Sequence, residues 1–177
     1  MALYFITGNK NKLAEVQAVL PQVEQMQIDL PEIQELDARK IIEAKLAEAR
    51  KHHASAFMAE DTSLYIDGMN GLPGPFCKWF LHALGDKGLH KLAQSFGTAA
   101  RAVTVIGYVD EKGSVEFFEG ETKGMIVEPK TESKFGWDAI FKPEGSDKTY
   151  NEMTQEEKNA ISHRGKALQK LKAHLAK

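Results

Sequence analysis

The chain has 177 residues, 42% of them hydrophobic and 27% charged, which predicts one globular domain with a sizeable core. Its 23 basic and 25 acidic residues give a net charge of −2, which argues against a protein dedicated to binding duplex DNA or RNA. A single cysteine excludes an internal disulfide, and neither a secretory signal nor an apolar run near the ~20 residues of a membrane helix is present, so we expect a cytoplasmic protein that contacts no membrane.

The first half of the chain alternates predicted strands and helices. Leu3–Thr7 is a short apolar run typical of a buried strand, and it ends at Gly8-Asn9. Apolar residues at helical spacing then indicate a helix that ends at Pro21. The next predicted elements are a strand over Val23–Asp29, a helix over Ala38–His53 and a short strand over Ala56–Ala59.

The second half is predicted to be richer in strands. Met69–Pro75 contains two prolines and two glycines, which indicates an irregular loop. The further predicted elements are helices over Phe76–Leu84 and Lys87–Phe96, a β-hairpin of Ala102–Val109 and Ser114–Glu121, an extension of the sheet over Lys123–Glu128, a helix with a capping box from Thr154, and a last helix around Leu168 and Leu171. This order predicts an α/β protein over residues 1–177: a single mixed-sheet domain with two lobes around a central cleft, flanked by helices.

The predicted turn between the first strand and the first helix is a candidate phosphate site. A strand, a glycine turn and a helix start bring backbone N–H groups and the positive end of a helix dipole to one place. The segment from Thr7 to Lys12 adds two lysines and two asparagines there. An ordinary turn, with asparagine in a left-handed conformation and solvated lysines, explains the same residues equally well.

Three acidic residues are candidate ligands of Mg²⁺. Glu60 and Asp61 follow a predicted strand, and Glu32 follows Leu30-Pro31. Carboxylates at strand ends often face a ligand crevice, and Mg²⁺ takes one or two carboxylates together with substrate phosphates. On spacing alone, exposed acids in turns are the better explanation.

Two later segments combine aromatic, basic and acidic residues. Phe135-Gly136-Trp137-Asp138 has the composition of a wall for a flat ring, although packing in the core is favoured for aromatics in a strand. Lys158–Arg164 presents three cationic side chain types, or is simply a solvated helix junction. After the Pro-Gly loop, Lys78 is placed to meet an anion, whereas Trp79 and Phe80 are expected in the core.

Several familiar catalytic patterns are absent from the sequence. There is no Walker A loop, no G-x-S-x-G elbow and no H-E-x-x-H or other zinc spacing among the six histidines. A serine hydrolase and a zinc enzyme are therefore disfavoured.

Taken together, six segments resemble one family, the inosine triphosphate pyrophosphatases. They are TGNKNK at 7–12, DLPE at 29–32, EDTSL at 60–64, GLPGP-x-x-KWF at 71–80, FGWD at 135–138 and EKNAISHR at 157–164. The resemblance implies a single nucleoside triphosphate pyrophosphatase domain, Mg²⁺ as cofactor, a nucleoside triphosphate substrate and a homodimer.

The resemblance also implies roles for particular residues. Glu32 and Asp61 would hold the metal, and Asp61 would be the general base. The triphosphate would contact the residues Thr7, Gly8, Asn9, Lys10, Asn11, Lys12, Lys45, Thr62 and Lys78. The base pocket would be lined by Phe135, Gly136, Trp137 and Asp138, with Lys158, His163 and Arg164 contacting the nucleotide.

The expected reaction is hydrolysis of ITP, dITP and XTP to the monophosphate and pyrophosphate. An arginine only donates hydrogen bonds, so Arg164 suits the 6-oxo group of these purines and cannot pair with the 6-amino group of adenine. The alternatives are a related pyrophosphatase for other modified bases, a nucleotide sensor without hydrolysis, and a single-stranded nucleic-acid binder that stacks bases on Phe135 and Trp137. The FGWD and SHR segments argue against the related pyrophosphatase, and the intact Asp61 argues against the sensor. The near-neutral charge argues against the nucleic-acid binder.

Overall fold

Seven strands and five helices make up the structure, a computed structural model that describes residues 2–52 and 54–177. The elements are β1 (Leu3–Ile6), α1 (Lys10–Val19), β2 (Val23–Met26), α2 (Ala38–Ala49), β3 (Phe57–Ile66), β4 (Pro73–Gly74), α3 (Cys77–Phe96), β5 (Ala99–Val109), β6 (Val115–Ile126), β7 (Phe141–Pro143), α4 (Gln155–Ile161) and α5 (His163–Leu175). Within the described residues, no helix is both long and apolar enough to cross a membrane.

The strands form one mixed sheet in the order β2-β1-β3-β5-β6-β7, with the short β4 also paired to β3. Strand β1 is parallel to both β2 and β3, whereas the remaining pairs are antiparallel. The α/β class and the mixed sheet predicted from the sequence are confirmed.

The core is divided by the polar middle of β3. On one sheet face α1 and α5 pack around Met58, and on the other face α2 packs around Ala59. Farther along β3, Leu64 and Ile66 belong to a third cluster, beneath α3 and the segment that contains Trp137. The cores on either side of this polar stretch correspond to the two predicted lobes.

Strand β3 reaches past the end of its parallel neighbour. Only Phe57 and Met58 of β3 pair with β1, whereas β5 pairs with β3 over its full length. Glu60 and Asp61 therefore lie in the middle of a ten-residue strand, and the prediction of a strand that stops at Ala59 is wrong. Because β5 satisfies the backbone on one side, the strand continues past the end of β1, and the adjacent side chains of Glu60 and Asp61 point to opposite faces of the sheet.

The bounds of three other elements differ from the predictions. Strand β2 stops at Met26 rather than Asp29, and α2 ends at Ala49, while its predicted last residue, His53, lies outside the described residues. Strand β6 continues to Ile126 and so absorbs most of the predicted extension of the sheet. The predicted hairpin is confirmed, with both strands longer than expected.

The two helices predicted after the Pro-Gly loop are confirmed as the two parts of α3, which join at a break at Gly85. Gly85 inside α3 has a φ of 66°, a left-handed conformation that favours glycine. The aromatic segment from Phe135 is mostly turn, and only Phe141 begins a strand there.

Candidate active site

A cavity of about 460 Å³ lies beside the exposed part of β3. Residues from α1, β3, α3, the 135–138 turn and the α4–α5 junction line it. The sequence-predicted site residues among them are Asn9, Lys12, Thr62, Lys78, Phe135, Gly136, Trp137, Asp138, Lys158, His163 and Arg164. The lining residues that sequence reasoning missed are Cys77, Leu81 and His82.

The start of α1 is held by its own side chains. Asn9 has an extended backbone, and its Oδ1 accepts hydrogen bonds from the backbone N–H groups of Asn11 (3.0 Å) and Lys12 (3.1 Å). Thr7 Oγ1 in turn accepts from the Asn9 N–H at 3.0 Å. The alternative of an ordinary turn with a left-handed asparagine does not describe Asn9, which is the helix N-cap.

The other predicted members of this turn lie at its rim. Gly8, Lys10 and Asn11 are exposed. Asn11 also lines a recess of about 180 Å³ that shares Lys158 and Asp138 with the main cavity.

A buried network of ion pairs forms the floor of the cavity. Arg164 donates to Glu60 through Nε (2.9 Å) and Nη2 (2.8 Å), and through Nη1 to Glu15. Lys158 Nζ contacts Glu15 at 2.7 Å and Asp138 at 2.5 Å. The two glutamates thus fix the positions of two predicted nucleotide contacts.

Glu15 was not predicted as part of the site. It lies on α1 and is buried, which is unusual for a glutamate. Its spacing offers a signal, because Lys12, Glu15, Val16 and Val19 follow the i, i+3, i+4, i+7 pattern of one helix face.

The pKa values of Glu60 and His163 are both shifted strongly from their usual values. Burial alone would raise the pKa of Glu60, but Arg164 and Lys12, whose Nζ is 3.0 Å from Oε1, hold that pKa well below its usual range. Burial lowers the pKa of His163 well below its usual value, with Arg164 and Lys158 adding to the effect. Glu60 is therefore ionised and His163 neutral at physiological pH.

A histidine that is neutral when folded makes stability depend on pH. Below a pH of about 6.5, the unfolded chain binds a proton at His163 that the folded protein does not, so acidification favours unfolding. Between pH 7.5 and 5.5, this effect lowers the free energy of unfolding of the wild type by about 1 kcal/mol, and we expect His163→Gln to abolish that part of the decrease. Urea unfolding at both pH values measures this, with the exposed His82→Gln as control; an unchanged pH slope in His163→Gln would contradict the assignment.

The aromatic residues of the 135–138 turn frame the cavity. Trp137 is buried and stacks on His163, with ring centroids 5.3 Å apart at 28°. The half-buried Phe135 ring lies 5.0 Å from Lys158 Nζ and 5.6 Å from the Arg164 guanidinium carbon. Trp137 therefore serves both the core and the cavity wall.

Trp79 departs from its prediction as a core residue. Its side chain is 59% exposed, and Lys78 Nζ lies 5.5 Å from its ring. Phe80, by contrast, packs against the core cluster beneath α3.

A second cluster joins Glu32, Lys45 and Asp61. Lys45 Nζ lies 3.1 Å from Glu32 Oε1 and 3.6 Å from Asp61 Oδ1. Lys78 Nζ is 3.8 Å from the other oxygen of Glu32. Burial raises the pKa of Asp61 although Lys45 and Lys12 oppose it, and Asp61 Oδ2 is buried with no hydrogen-bond partner among residues 2–52 and 54–177.

The position of the α5 N-terminus depends on Gly120 in β6. A Cβ at Gly120 would lie 2.0 Å from the His163 carbonyl oxygen and 2.6 Å from the Ala167 nitrogen. Helix α5 thus rests directly on the strand, which places His163 and Arg164 at the cavity floor.

Gly120→Ala is expected to lower the free energy of unfolding by about 2 kcal/mol or more, because backbone atoms must move to admit the methyl group. Urea unfolding measures this loss. Gly8→Ala is the control for stability, since a Cβ there meets nothing within 4 Å. Equal stability of the two variants would show that α5 does not need this close approach.

The fold and the site define an α/β protein whose cleft combines paired cations, carboxylates and an aromatic wall. The Ham1 family model matches residues 3–174, and the chain belongs to that family. The chain is 47% identical to an inosine triphosphate pyrophosphatase of Emericella nidulans, over 97% of this chain and 94% of that protein.

Solved structures show the same fold. A HAM1 protein from Coxiella burnetii matches with a TM-score of 0.79 and 28% identity, over 99% of both chains. A structure described as nucleoside-triphosphatase / dITP/XTP pyrophosphatase from Mycobacterium abscessus matches with a TM-score of 0.70 and 32% identity, over 97% of this chain and 98% of that one. The resemblance noted in the sequence is confirmed.

Proposed function

We propose that the protein hydrolyses the non-standard purine nucleoside triphosphates ITP, dITP and XTP to monophosphates and pyrophosphate, which removes deaminated purines from the nucleotide pool. The observation that carries this proposal is the cavity itself. It places the ammonium groups of Lys12, Lys78 and Lys158 in the same lining as the rings of Phe135 and Trp137. Cations suit a triphosphate and flat rings suit a purine, and the named relatives support the same activity.

In the proposed reaction, water attacks the α-phosphorus in line with the leaving pyrophosphate. The bond between the α-phosphorus and the oxygen that bridges to the β-phosphorus breaks, and the pair of electrons leaves with pyrophosphate. Asp61 orients the water and accepts its proton. In this proposal the proton goes to Asp61 Oδ2, which has no hydrogen-bond partner in the described part of the chain.

Mg²⁺ fits the cluster around Lys45. Within residues 2–52 and 54–177, no group of three or more His, Cys, Asp or Glu side chains is arranged to hold a metal. Two carboxylates completed by substrate phosphates are a usual arrangement for Mg²⁺, and Glu32 and Asp61 would supply them. The ion would neutralise charge on the phosphates and stabilise the leaving pyrophosphate.

Charge balance supports a metal cofactor. Apart from Lys10 at the rim, five cations of the site contact five carboxylates: Lys12, Lys45, Lys78, Lys158 and Arg164 against Glu15, Glu32, Glu60, Asp61 and Asp138. A polyanionic substrate therefore enters a nearly neutral cleft and needs an accompanying cation.

Mn²⁺ binding measured by calorimetry in the presence of inorganic pyrophosphate tests this metal site. We expect Glu32→Gln to weaken Mn²⁺ binding about tenfold or more, because one of two ligands loses its charge. The control is Glu24→Gln, an exposed glutamate on β2. Unchanged Mn²⁺ affinity in Glu32→Gln would remove this residue from the metal site.

A panel of triphosphates with Mg²⁺, followed by identification of the products, tests the activity. IMP and pyrophosphate from ITP, with little turnover of ATP or GTP, would support the proposal. Release of single phosphates would contradict it, and preferential turnover of modified pyrimidine or methylated nucleotides would favour the related pyrophosphatase instead.

The homodimer and the cytoplasmic location are proposals that rest on the resemblance and the composition. Light scattering coupled to gel filtration measures the mass in solution, with a mass twice that of the 19.7 kDa chain expected. Immunodetection in cell fractions tests the location.

The prediction that Arg164 reads the base meets a constraint in this structure. Of the five N–H donors of a guanidinium, four are engaged by Glu60, Glu15 and Thr62. One donor on Nη1 is left for a ligand, so we propose that Arg164 recognises the 6-oxo group through that donor, with His163 and Lys158 nearby.

A further inference from the structure

Two threonine hydroxyl groups meet across the sheet beside Asp61. Thr62 on β3 lies opposite Thr104 on β5, and their Oγ1 atoms are 3.1 Å apart. Thr104 is completely buried, whereas Thr62 is half-buried and lines the cavity. Thr104 itself does not line the cavity.

The direction of this hydrogen bond follows from the number of donors and acceptors. A hydroxyl has one hydrogen to donate and two lone pairs to accept with. Within the described part of the chain, Thr62 Oγ1 is the one hydrogen-bond partner of the Thr104 hydroxyl. If Thr62 donated to Thr104, the hydrogen of Thr104 would be left without an acceptor in a fully buried place, which is unfavourable.

The reverse direction leaves no buried hydrogen unpaired. Thr104 then donates to Thr62, and Arg164 Nη2 donates to the same Oγ1 at 3.1 Å. Both lone pairs of Thr62 are thereby occupied, and its own hydrogen remains for an acceptor in the cavity.

The surroundings of Thr62 indicate what that acceptor is. Arg164 Nη2 contacts Glu60 Oε1 at 2.8 Å, and Lys12 Nζ contacts the same oxygen at 3.0 Å. Thr62 and Lys12 line the same cavity, so a hydroxyl hydrogen and a lysine ammonium both border the space in which a phosphate oxygen would bind. The thiol of Cys77 also donates to the Thr62 carbonyl oxygen at 3.4 Å, which restrains the backbone.

We infer that Thr104 is a positioning residue: it holds Thr62 as an obligate hydrogen-bond donor to a phosphate oxygen of the substrate. The inference rests on the proposed function, since it concerns the same cleft and the same triphosphate. Thr104 does not touch the substrate and acts only through Thr62.

The test is a double-mutant cycle on the two threonines. Thr104→Val keeps the shape of the side chain and removes the hydroxyl, and Thr62→Val removes the donor itself. Binding of inorganic pyrophosphate is measured by calorimetry with Mg²⁺ present, together with kcat and KM for ITP. Thr104→Ser restores the hydroxyl, and Thr122→Val is the matched control, since it removes a buried hydroxyl that donates to the Ile161 carbonyl instead.

We expect Thr104→Val to weaken pyrophosphate binding about fivefold and to raise KM more than it lowers kcat. Thr104→Ser is expected to bind within twofold of the wild type, and Thr62→Val/Thr104→Val no more weakly than Thr62→Val alone. The last result separates this role from general loss of stability, because a purely structural effect of Thr104 would add to that of Thr62.

Binding by Thr104→Val within twofold of the wild type, or additive losses in the double variant, would overturn the inference. A loss in Thr122→Val equal to that in Thr104→Val would do the same. Each of these results leaves the proposed function intact if the wild type hydrolyses ITP. Absence of ITP hydrolysis by the wild type would instead overturn the proposed function, and this inference with it.

Discussion

Asp61→Asn is expected to reduce ITP turnover roughly a thousandfold while the protein stays folded. Asparagine has the shape of aspartate, so the contact with Lys45 is largely retained. An amide neither accepts the proton of the attacking water nor carries the charge that a metal requires. The measurement is kcat at saturating Mg²⁺ and ITP, together with ITP binding by calorimetry.

Asp147→Asn is the control for this substitution, because Asp147 is an exposed aspartate outside the cavity. It should retain the turnover of the wild type. Turnover by Asp61→Asn within tenfold of the wild type would remove Asp61 from the role of general base, whereas lost ITP binding would assign it to substrate or metal binding alone.

The opposing effects of burial and of nearby lysines on the pKa of Asp61 explain why its environment suits a base. Burial raises its pKa, and Lys45 and Lys12 hold the rise in check. A base with a raised pKa is a better proton acceptor than an exposed aspartate.

Local sequence patterns were sufficient for the start of the site. The apolar run Leu3–Ile6, the glycine turn and the amphipathic helix are each specified by neighbours in the chain, and Asn9 is a favoured N-cap residue. The hairpin and the capping box at Thr154 are likewise local features, and both are present in the structure.

Features that depend on distant contacts could not be predicted in the same way. Glu15 is buried because Lys158 and Arg164, more than 140 positions away, supply its partners. Strand β3 continues through Glu60 and Asp61 because β5 pairs with it there. The two polar residues by themselves do not indicate a strand. Trp79 and Phe80 were both placed in the core by residue type alone, and the structure confirms Phe80 but not the exposed Trp79.

The role of Glu60 changed for a physical reason. As a candidate metal ligand it needs free oxygens, but both of its oxygens are engaged by Arg164, and Lys12 shares one of them. Glu32 and Asp61 share the ammonium of Lys45, Glu32 also lies 3.8 Å from Lys78, and both carboxylates retain lone pairs. Glu15 and Glu60 therefore organise the cations, and Glu32 and Asp61 are the pair that we propose for the metal.

Arg164→Ala is expected to lower the free energy of unfolding by about 3–5 kcal/mol, the largest stability effect we predict for this protein. The guanidinium is 2% exposed and bridges Glu15 and Glu60, which are themselves buried. Its removal leaves two buried carboxylates without this partner, and only Lys158 and Lys12 remain to balance them. Urea unfolding at pH 7 measures the loss.

Two further variants separate this ion network from a simple cavity. Arg39→Ala removes an exposed arginine whose distance to Glu119 is 3.8 Å, so a change below about 1 kcal/mol is expected. In Arg164→Ala/Glu60→Gln, one of the uncompensated charges is also removed, so the double variant should lose less stability than the sum of its single substitutions. If the two stability losses add strictly, lost packing rather than uncompensated charge accounts for most of the effect of Arg164→Ala. Because so much stability depends on Arg164, the selectivity of Arg164→Ala for ITP over ATP must be measured under conditions in which the variant is still folded. A selectivity equal to that of the wild type would limit Arg164 to holding the two glutamates in place.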